Sequence, residues 1–312
     1  WPRGCGERMK GARLLALDWG TSNLRASLLG AGGRVLDTRA APGGVMAVRD
    51  GRFESALLAL CGDWIKAAAC PMVASGMIGS RQGWQEAAYL ACPAGLAQAA
   101  AQLTCVRLNQ GATLHIVPGL QMTGADGQVD VMRGEETQLW GAGLADGSCC
   151  VLPGTHAKWA WTGPGGAVAT FSTYLTGELY ALLTQHSILG RLMQFGQARP
   201  ETFAEGVRLG LAEHEHATHV IFAVRTAGLT GRIEPLGLPD FLSGLLLGME
   251  IGSATRRQRP QCVTLLGDDA LCARYEMALT LAGMAHSRAA ADATTRGQWR
   301  VAMEAGLVEE AP

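Results

Sequence analysis

Residues 14–29 read LLALDWGTSNLRASLL, from Leu14 to Leu29. An apolar run ends on Asp18 and Trp19, a short turn of Gly20, Thr21, Ser22 and Asn23 follows, and an alternating run begins at Leu24. Two apolar segments joined by a glycine-bearing turn describe a β-hairpin, and Arg34 to Thr38 reads as a third strand. A purely structural hairpin has no need of a carboxylate at the mouth of its turn or of three small hydrogen-bonding side chains within it. Glycine with hydroxyl side chains presents backbone N–H and O–H groups in a concave nest that suits phosphate oxygens. Asp18 cannot bind phosphate directly, but it can hold a hydrated Mg²⁺ that bridges phosphates. Taken alone, the stretch fits an ordinary hairpin with small turn residues equally well.

Composition narrows the classes. The chain has 312 residues, enough for one large or two medium domains, and it is 48% hydrophobic and 17% charged, which marks a well-packed globular protein. A net charge of -1 gives no bulk attraction to nucleic acid or acidic lipid. Its nine cysteines show neither a CxxC pair nor a regular framework and read as small buried residues and free thiols of a reducing compartment. No apolar run reaches membrane-spanning length, and the opening WPRGCGERMKG lacks the apolar centre of a signal peptide. A soluble cytoplasmic protein is expected, with the residues before Met9 an upstream extension.

Further along, Phe53 to Ala69 carries apolar residues at amphipathic-helix spacing. Pro71 to Ser75 is a short buried strand entering a loop, Gly76 to Trp84, and Leu114 to Val117 is another strand. The segment DVMRGEETQLWGAGLA starts polar and becomes helical at about Glu135. Ser148 to Leu152 is a strand that turns through PGTHAKWAW into the next, and Val168 to Thr173 pairs beside it. Helices are expected at Gly177–Met193, Phe241–Arg257, Ala270–Gly283 and Thr295–Leu307, with a strand at Val263–Leu266 closing on Gly267. The pattern is two α/β halves, 9–138 and 139–312, each opening with a hairpin whose tight turn contains Gly and Thr; the last helix either ends the second half or returns to the first.

The second turn bears on the meaning of the first. Lysine is scarce, and Lys158 stands in Gly154-Thr155-His156-Ala157-Lys158, where a compact ammonium can meet a phosphate. No GxxxxGK[ST] or GxGxxG occurs, which disfavours P-loop ATPases and dinucleotide-binding dehydrogenases. Two phosphate-type hairpins, one per half, resemble the scheme of the actin-like ATPase and sugar-kinase superfamily. A later glycine at a strand end, Gly267, stands where that scheme lets backbone approach the adenosine.

Within that superfamily, DWGTSNLR, SGMIGSRQGW, CPA, VPGL, DVMRGEETQ, LPGTHAKW, YLTGELYALLTQHSIL and FLSGLLLGMEI together resemble the 2-dehydro-3-deoxygalactonokinases, in order and over nearly the whole chain. The resemblance implies two actin-like (ribonuclease-H-like) halves around a nucleotide cleft. It also implies ATP- and Mg²⁺-dependent phosphorylation of 2-dehydro-3-deoxy-D-galactonate at its 6-hydroxyl, in galactonate breakdown. Kinases of this superfamily place the catalytic base just before the helix linking the halves, and that region offers Glu135, Asp130 and Glu136, in that order. The spacing departs from the superfamily's by about one residue, and a carboxylate also favours a helix N-terminus for structural reasons alone.

An acid substrate calls for a guanidinium, and Arg81 and Arg133 are the candidates, Arg81 first. Gly79 shapes the same loop, while Ser80, Gln82 and Trp84 are expected to meet hydroxyls and a sugar face. The expected partners are ATP and a small sugar acid, with homodimerisation open and neither nucleic acid nor membrane. The alternatives are a kinase for a related keto-deoxy sugar acid and a non-catalytic nucleotide-binding sugar sensor. His214, His216 and His219 in EHEHATH match no common zinc spacing and read as a solvated helix end, and His186 reads as a core histidine.

Overall fold

A computed structural model describes residues 11–256 and 258–309. The segment before Met9 and the expected helix end at Arg257 lie outside them. The chain forms two compact units. The first holds residues 11–147, 162–170 and 292–309, and the second holds 148–161 and 171–291.

In the first unit the opening stretch is the hairpin its sequence spells. Strand β1 (Leu14–Trp19) pairs antiparallel with β2 (Asn23–Leu29), and β3 (Val35–Pro42) continues the meander beyond the expected end at Thr38. Helix α1 (Phe53–Ala68) then returns the chain to β4 (Met72–Ser75), which lies parallel to β1 on its other side. The remaining elements are β5 (Tyr89–Ala91), α2 (Leu96–Ala101), β6 (Thr104–Arg107), β7 (Thr113–Ile116), β8 (Gly119–Thr123), β9 (Val129–Met132) and α3 (Glu135–Ala142). The main sheet runs β3-β2-β1-β4-β7-β6, while β5, β8 and β9 form a small separate sheet. β1 and β4 are central and buried along almost their whole length, as their apolar runs require. Leu15, Leu17, Trp19, Leu57, Trp64 and Ile116 contribute to the core beneath them.

The second unit repeats this order. β10 (Cys149–Leu152) pairs antiparallel with β11 (Ala157–Thr162), β12 (Val168–Tyr174) lies outside β11, and β13 (Cys262–Leu265) runs parallel to β10. Its helices are α4 (Thr176–His186), α5 (Pro200–Ala212), α6 (Ala217–Val220), α7 (Ala223–Leu229), α8 (Leu238–Thr255) and α9 (Asp269–Leu281), with β14 (Ala285–Arg288) at the sheet edge. The expected helix Gly177–Met193 stops at His186. There Ser187 Oγ donates to the Leu183 carbonyl and accepts from the Leu189 N–H, which diverts the backbone into a short 3-10 turn at Gly190–Leu192. His186 is exposed, not in the core.

Two helix pairs meet backbone to backbone through glycine. In α5 and α8, a Cβ on Gly206 would lie 2.2 Å from the Phe241 carbonyl oxygen, and one on Gly244 would lie 2.0 Å from that of Phe203. Gly210 and Gly248 repeat the contact one turn along, at 2.2 and 2.3 Å from the carbonyls of Leu245 and Val207. The final helix α10 (Ala293–Glu304), part of the first unit, crosses α3 in the same manner: Cβ atoms on Gly141 and Gly297 would each fall 1.8 Å from a facing carbonyl. No helix among the described residues is long and apolar enough to cross a membrane, and the eight described cysteines are free thiols.

Candidate functional site

Each unit carries its own cluster of the residues that the sequence singled out.

In the first unit, Asp18 sits near the end of β1, opposite Arg25 across the hairpin and opposite Ser75 on β4. The turn beyond it is closed by a hydrogen bond from Gly20 N–H to the Asn23 carbonyl (3.0 Å). Backbone N–H groups of Gly43, Val45 and Met46 take up the carbonyls of Ser22, Gly20 and Thr21, which fixes the shape of the turn from one side. Thr21, Ser22 and Asn23 stay exposed. Two glycines then bring distant segments against Asp18. Gly76, after β4, has φ +94°, and Gly134, before α3, has φ +108°. A Cβ on Gly76 would lie 2.8 Å from the Trp19 carbonyl oxygen, and one on Gly134 would lie 3.1 Å from Gly76 Cα. Both positions therefore need a left-handed backbone and no side chain.

This stacking sets Glu135 in the electrostatic field of Asp18. Burial pushes the Asp18 pKa up, the Arg25 charge opposes that rise, and the Glu135 charge adds to it. Beneath the strand ends the buried Gln298 of α10 donates to the Leu17 carbonyl (2.7 Å) and to Ser75 Oγ (2.9 Å), holding β1 and β4 in register at Asp18. Nothing in the sequence marked Gln298, because it follows Asp18 by most of the chain length.

The three candidate bases separate. Glu135 is half-buried, and its Oε2 accepts from the Arg133 N–H at 3.1 Å. Glu136 is wholly buried and serves the helix start: its carboxylate accepts from the Gly134 N–H (2.6 Å) and from Thr137 Oγ1 (2.9 Å). Asp130 lies on β9 opposite Met122, in the small sheet.

Burial first, and the Glu135 charge second, push the Glu136 pKa from its ordinary 4.5 up to about 7. The folded state thus binds more protons than the unfolded chain between those values, so this group makes stability fall as pH rises from about 4.5 to 7. At about 1.4 kcal/mol per pKa unit the whole effect is about 3 kcal/mol. Denaturant unfolding across that range should therefore show a flatter pH profile in Glu136→Gln than in the wild type. Equal slopes would refute the buried titration.

The two arginines also differ in their surroundings. Arg81 is exposed, with its Nε 3.6 Å from a Glu86 carboxylate oxygen. Arg133 is 8% exposed; it lies 4.2 Å over the Tyr89 ring and donates through Nη2 to the Ala87 carbonyl (2.7 Å). Its Nε and Nη1 are buried without a hydrogen-bond partner among the described residues, as is Ser80 Oγ. Gly79 lies against this guanidinium, where a Cβ would come 2.9 Å from Nη1. Gln82 is exposed, and Trp84 stacks on Phe53 at the edge of the core.

In the second unit the turn from Pro153 to His156 joins β10 to β11. Lys158 does not project from the turn as the sequence suggested. It is 4% exposed, and its Nζ donates to the His156 carbonyl at 3.0 Å, bracing the turn from within. Thr155 and His156 are exposed, with His156 Nε2 2.5 Å from Glu178 Oε2. The first turn of α4 packs on the hairpin turn: the Glu178 N–H donates to the Thr155 carbonyl (3.0 Å), and a Cβ on Gly177 would lie 2.5 Å from the Gly154 carbonyl oxygen. Gly267, after β13, adjoins Pro153, whose carbonyl oxygen would be 3.4 Å from an added Cβ. A cavity of about 270 Å³ opens beside this turn, with Gly154, Thr176, Tyr180, Ser243, Arg274 and Tyr275 in its wall. Among the described residues no group of three or more His, Cys, Asp or Glu could hold a metal, and His216 of EHEHATH pairs with Glu213.

The family model for 2-keto-3-deoxy-galactonokinase matches residues 18–301. This chain belongs to that family. The chain is 38% identical to the 2-dehydro-3-deoxygalactonokinase of Escherichia coli over 87% of this chain and 91% of that one. A crystal structure of a Sinorhizobium meliloti protein assigned to the 2-dehydro-3-deoxygalactonokinases superposes with a TM-score of 0.84 at 32% identity, covering 93% of this chain and 98% of that one. The ligand-bound xylulose kinase of Lactobacillus acidophilus superposes with a TM-score of 0.50 at 9% identity, over 95% of this chain and 90% of that one, a likeness of fold alone. This chain thus has an α/β fold shared with a sugar kinase, as the two hairpin turns had suggested. All the clusters described above lie within the matched residues.

Proposed function

We propose that this member of the 2-keto-3-deoxy-galactonokinase family transfers the γ-phosphoryl group of ATP to the 6-hydroxyl of 2-dehydro-3-deoxy-D-galactonate. The observation that carries the reading is Arg133: a buried guanidinium two residues from Glu135, with two nitrogens that have no hydrogen-bond partner among the described residues, packed against Gly79, whose neighbour in sequence Ser80 has a buried hydroxyl that likewise lacks one. Buried unpartnered donors are costly unless a ligand completes them, and a planar guanidinium edge suits a carboxylate. Glu135 is the general base: it takes the hydroxyl proton as the new O–P bond forms and the bond from the γ-phosphorus to the β,γ-bridging oxygen of ATP breaks, releasing ADP.

The residues present also fit Mg²⁺. Asp18 is a carboxylate whose charge is disfavoured by burial and by Glu135, so a divalent cation beside it relieves both, and one protein carboxylate with phosphates and waters is a usual Mg²⁺ site. Bound there, the ion would neutralise charge on the transferring phosphoryl group. In the second unit, Thr155, the backbone of Gly154 and Gly267, and the adjoining cavity are the proposed nucleotide contacts.

Coupled measurement of ADP release with the galactonate-derived keto-deoxy acid and its gluconate-derived epimer tests the reading. Release with the first above the second is expected. Preference for the epimer would reassign the substrate, and release with neither would leave a sugar-sensing role. In the same assay Arg133→Lys, which keeps charge but loses the planar fork, should raise KM for the sugar acid about 10-fold or more and leave KM for ATP unchanged. Arg81→Lys should change neither. A KM effect confined to Arg81→Lys would restore the order expected from sequence.

A further inference from the structure

Glu250 is a carboxylate in the middle of α8, 3% exposed and flanked by Met249 and Ile251. A buried charge in such surroundings is costly unless every lone pair is used. Three donors from three different elements use them. Trp159 Nε1, on β11, donates to Oε1 at 2.8 Å, and the Tyr275 hydroxyl, on α9, lies 2.8 and 2.9 Å from the two oxygens. Thr176 Oγ1, on the first residue of α4, donates to Oε2. Burial raises the pKa of Glu250, and these three hydrogen bonds oppose the rise.

What the three donors have in common is the second hairpin turn and the cavity beside it. Trp159 follows Lys158, the residue that braces the turn through the His156 carbonyl. Thr176 begins the helix whose next two residues pack on Gly154 and bond to Thr155. Thr176 and Tyr275 both line the cavity, whereas Glu250 does not. From this geometry we infer that Glu250 is a positioning residue for nucleotide binding, which locks the phosphate-facing turn, the start of α4 and the Tyr275 wall of the cavity into one arrangement before ATP arrives. Preorganisation of this kind reads out as affinity, because the cost of ordering the three elements is met on folding and not on binding.

The inference rests on the nucleotide assignment proposed above, so its test begins with the wild type. Calorimetric titration with a non-hydrolysable ATP analogue, and separately with the sugar acid, should give a measurable affinity for each. Glu250→Leu should then weaken the analogue by about 10-fold or more and leave sugar-acid affinity unchanged, while Glu250→Gln, which keeps an acceptor oxygen, should recover most of the loss. Thr176→Val should weaken the analogue as well, and combining it with Glu250→Leu should cost less than the two single effects added, since the Thr176 contribution runs through the Glu250 carboxylate. If Glu250→Leu does not fold, Thr176→Val decides: it should weaken the analogue and leave sugar-acid affinity unchanged. A fall in Tm with analogue affinity intact, strict additivity, or equal weakening of both ligands would reduce Glu250 to a packing role. A wild type that bound no analogue would overturn the nucleotide assignment, and this inference with it.

Discussion

Glu135→Gln is expected to bind ATP and the sugar acid nearly as the wild type does, and to lose about 10²-fold or more in kcat. The substitution preserves shape and the acceptor for the Arg133 N–H, while removing the oxygen that takes the proton. Of the three carboxylates near this helix start, Glu135 is the one whose charge reaches Asp18 strongly enough to raise its pKa. Glu136 is committed to the Gly134 N–H and Thr137, and Asp130 lies on a strand of another sheet. Asp130→Asn should accordingly cost far less. A second readout accompanies the kinetic one. Because the Glu135 charge raises the Asp18 pKa, removing it should move the Asp18 titration to lower pH, a shift that carboxyl NMR can follow. If Asp130→Asn alone binds both substrates and fails at chemistry, the base is misassigned. Should none of the variants do so, proton abstraction by a carboxylate is itself wrong.

The second large effect is on stability. Gly244→Ala places a methyl group 2.0 Å from the carbonyl oxygen of Phe203, a backbone atom of the facing helix that no rotamer change can move. The two helices must separate along their shared length, so a loss of about 3 kcal/mol or a failure to fold is expected, at or beyond the upper end for overpacked cores. Gly62→Ala is the matching control. Gly62 also lies in a helix, but its nearest neighbour would be Leu58 at an ordinary 3.5 Å, so alanine there should be neutral or add up to about 1 kcal/mol through helix propensity. Chemical denaturation of the two variants decides the matter. Comparable stabilities would show that α5 and α8 are not held at backbone distance.

Those glycines also show where the sequence was opaque. The segment ETFAEGVRLGLA carries Gly206 and Gly210, residues that lower helix propensity, and α5 was not expected there at all; its glycines are a property of the partner helix, which local pattern does not contain. The hairpin turns were legible for the opposite reason, since DWGTSN and PGTHAKW put all their chemistry within a few consecutive residues. Arg81 and Arg133 looked alike because each stands close to glycine. What divides them is the Gly79 backbone and the Tyr89 ring closing over one and not the other, and those contacts join segments 54 and 44 residues apart in the chain. Lys158 lies on β11 directly after the second turn, and its ammonium points back at the His156 carbonyl instead of out of the turn. β9 (VDVM) and β14 (AHSR) were missed because they are mostly exposed and carry no apolar run, unlike the equally short but wholly buried β4 and β10.

The order in which the chain leaves a ribosome gives the last helix a further significance. Strand β1 is synthesised well before α10, yet the amide that ties it to β4 at Asp18 belongs to Gln298, and the surface against which α3 rests belongs to Gly297. The second unit, residues 148–161 and 171–291, is complete before α10 exists. At about 5–20 residues per second, the first unit waits several seconds or more with its strand ends unclamped and the α3 face uncovered. The Asp18 strand ends are therefore made long before the helix that completes them, and a nascent chain stopped short of residue 293 would carry the Asp18 turn without the helix that holds it.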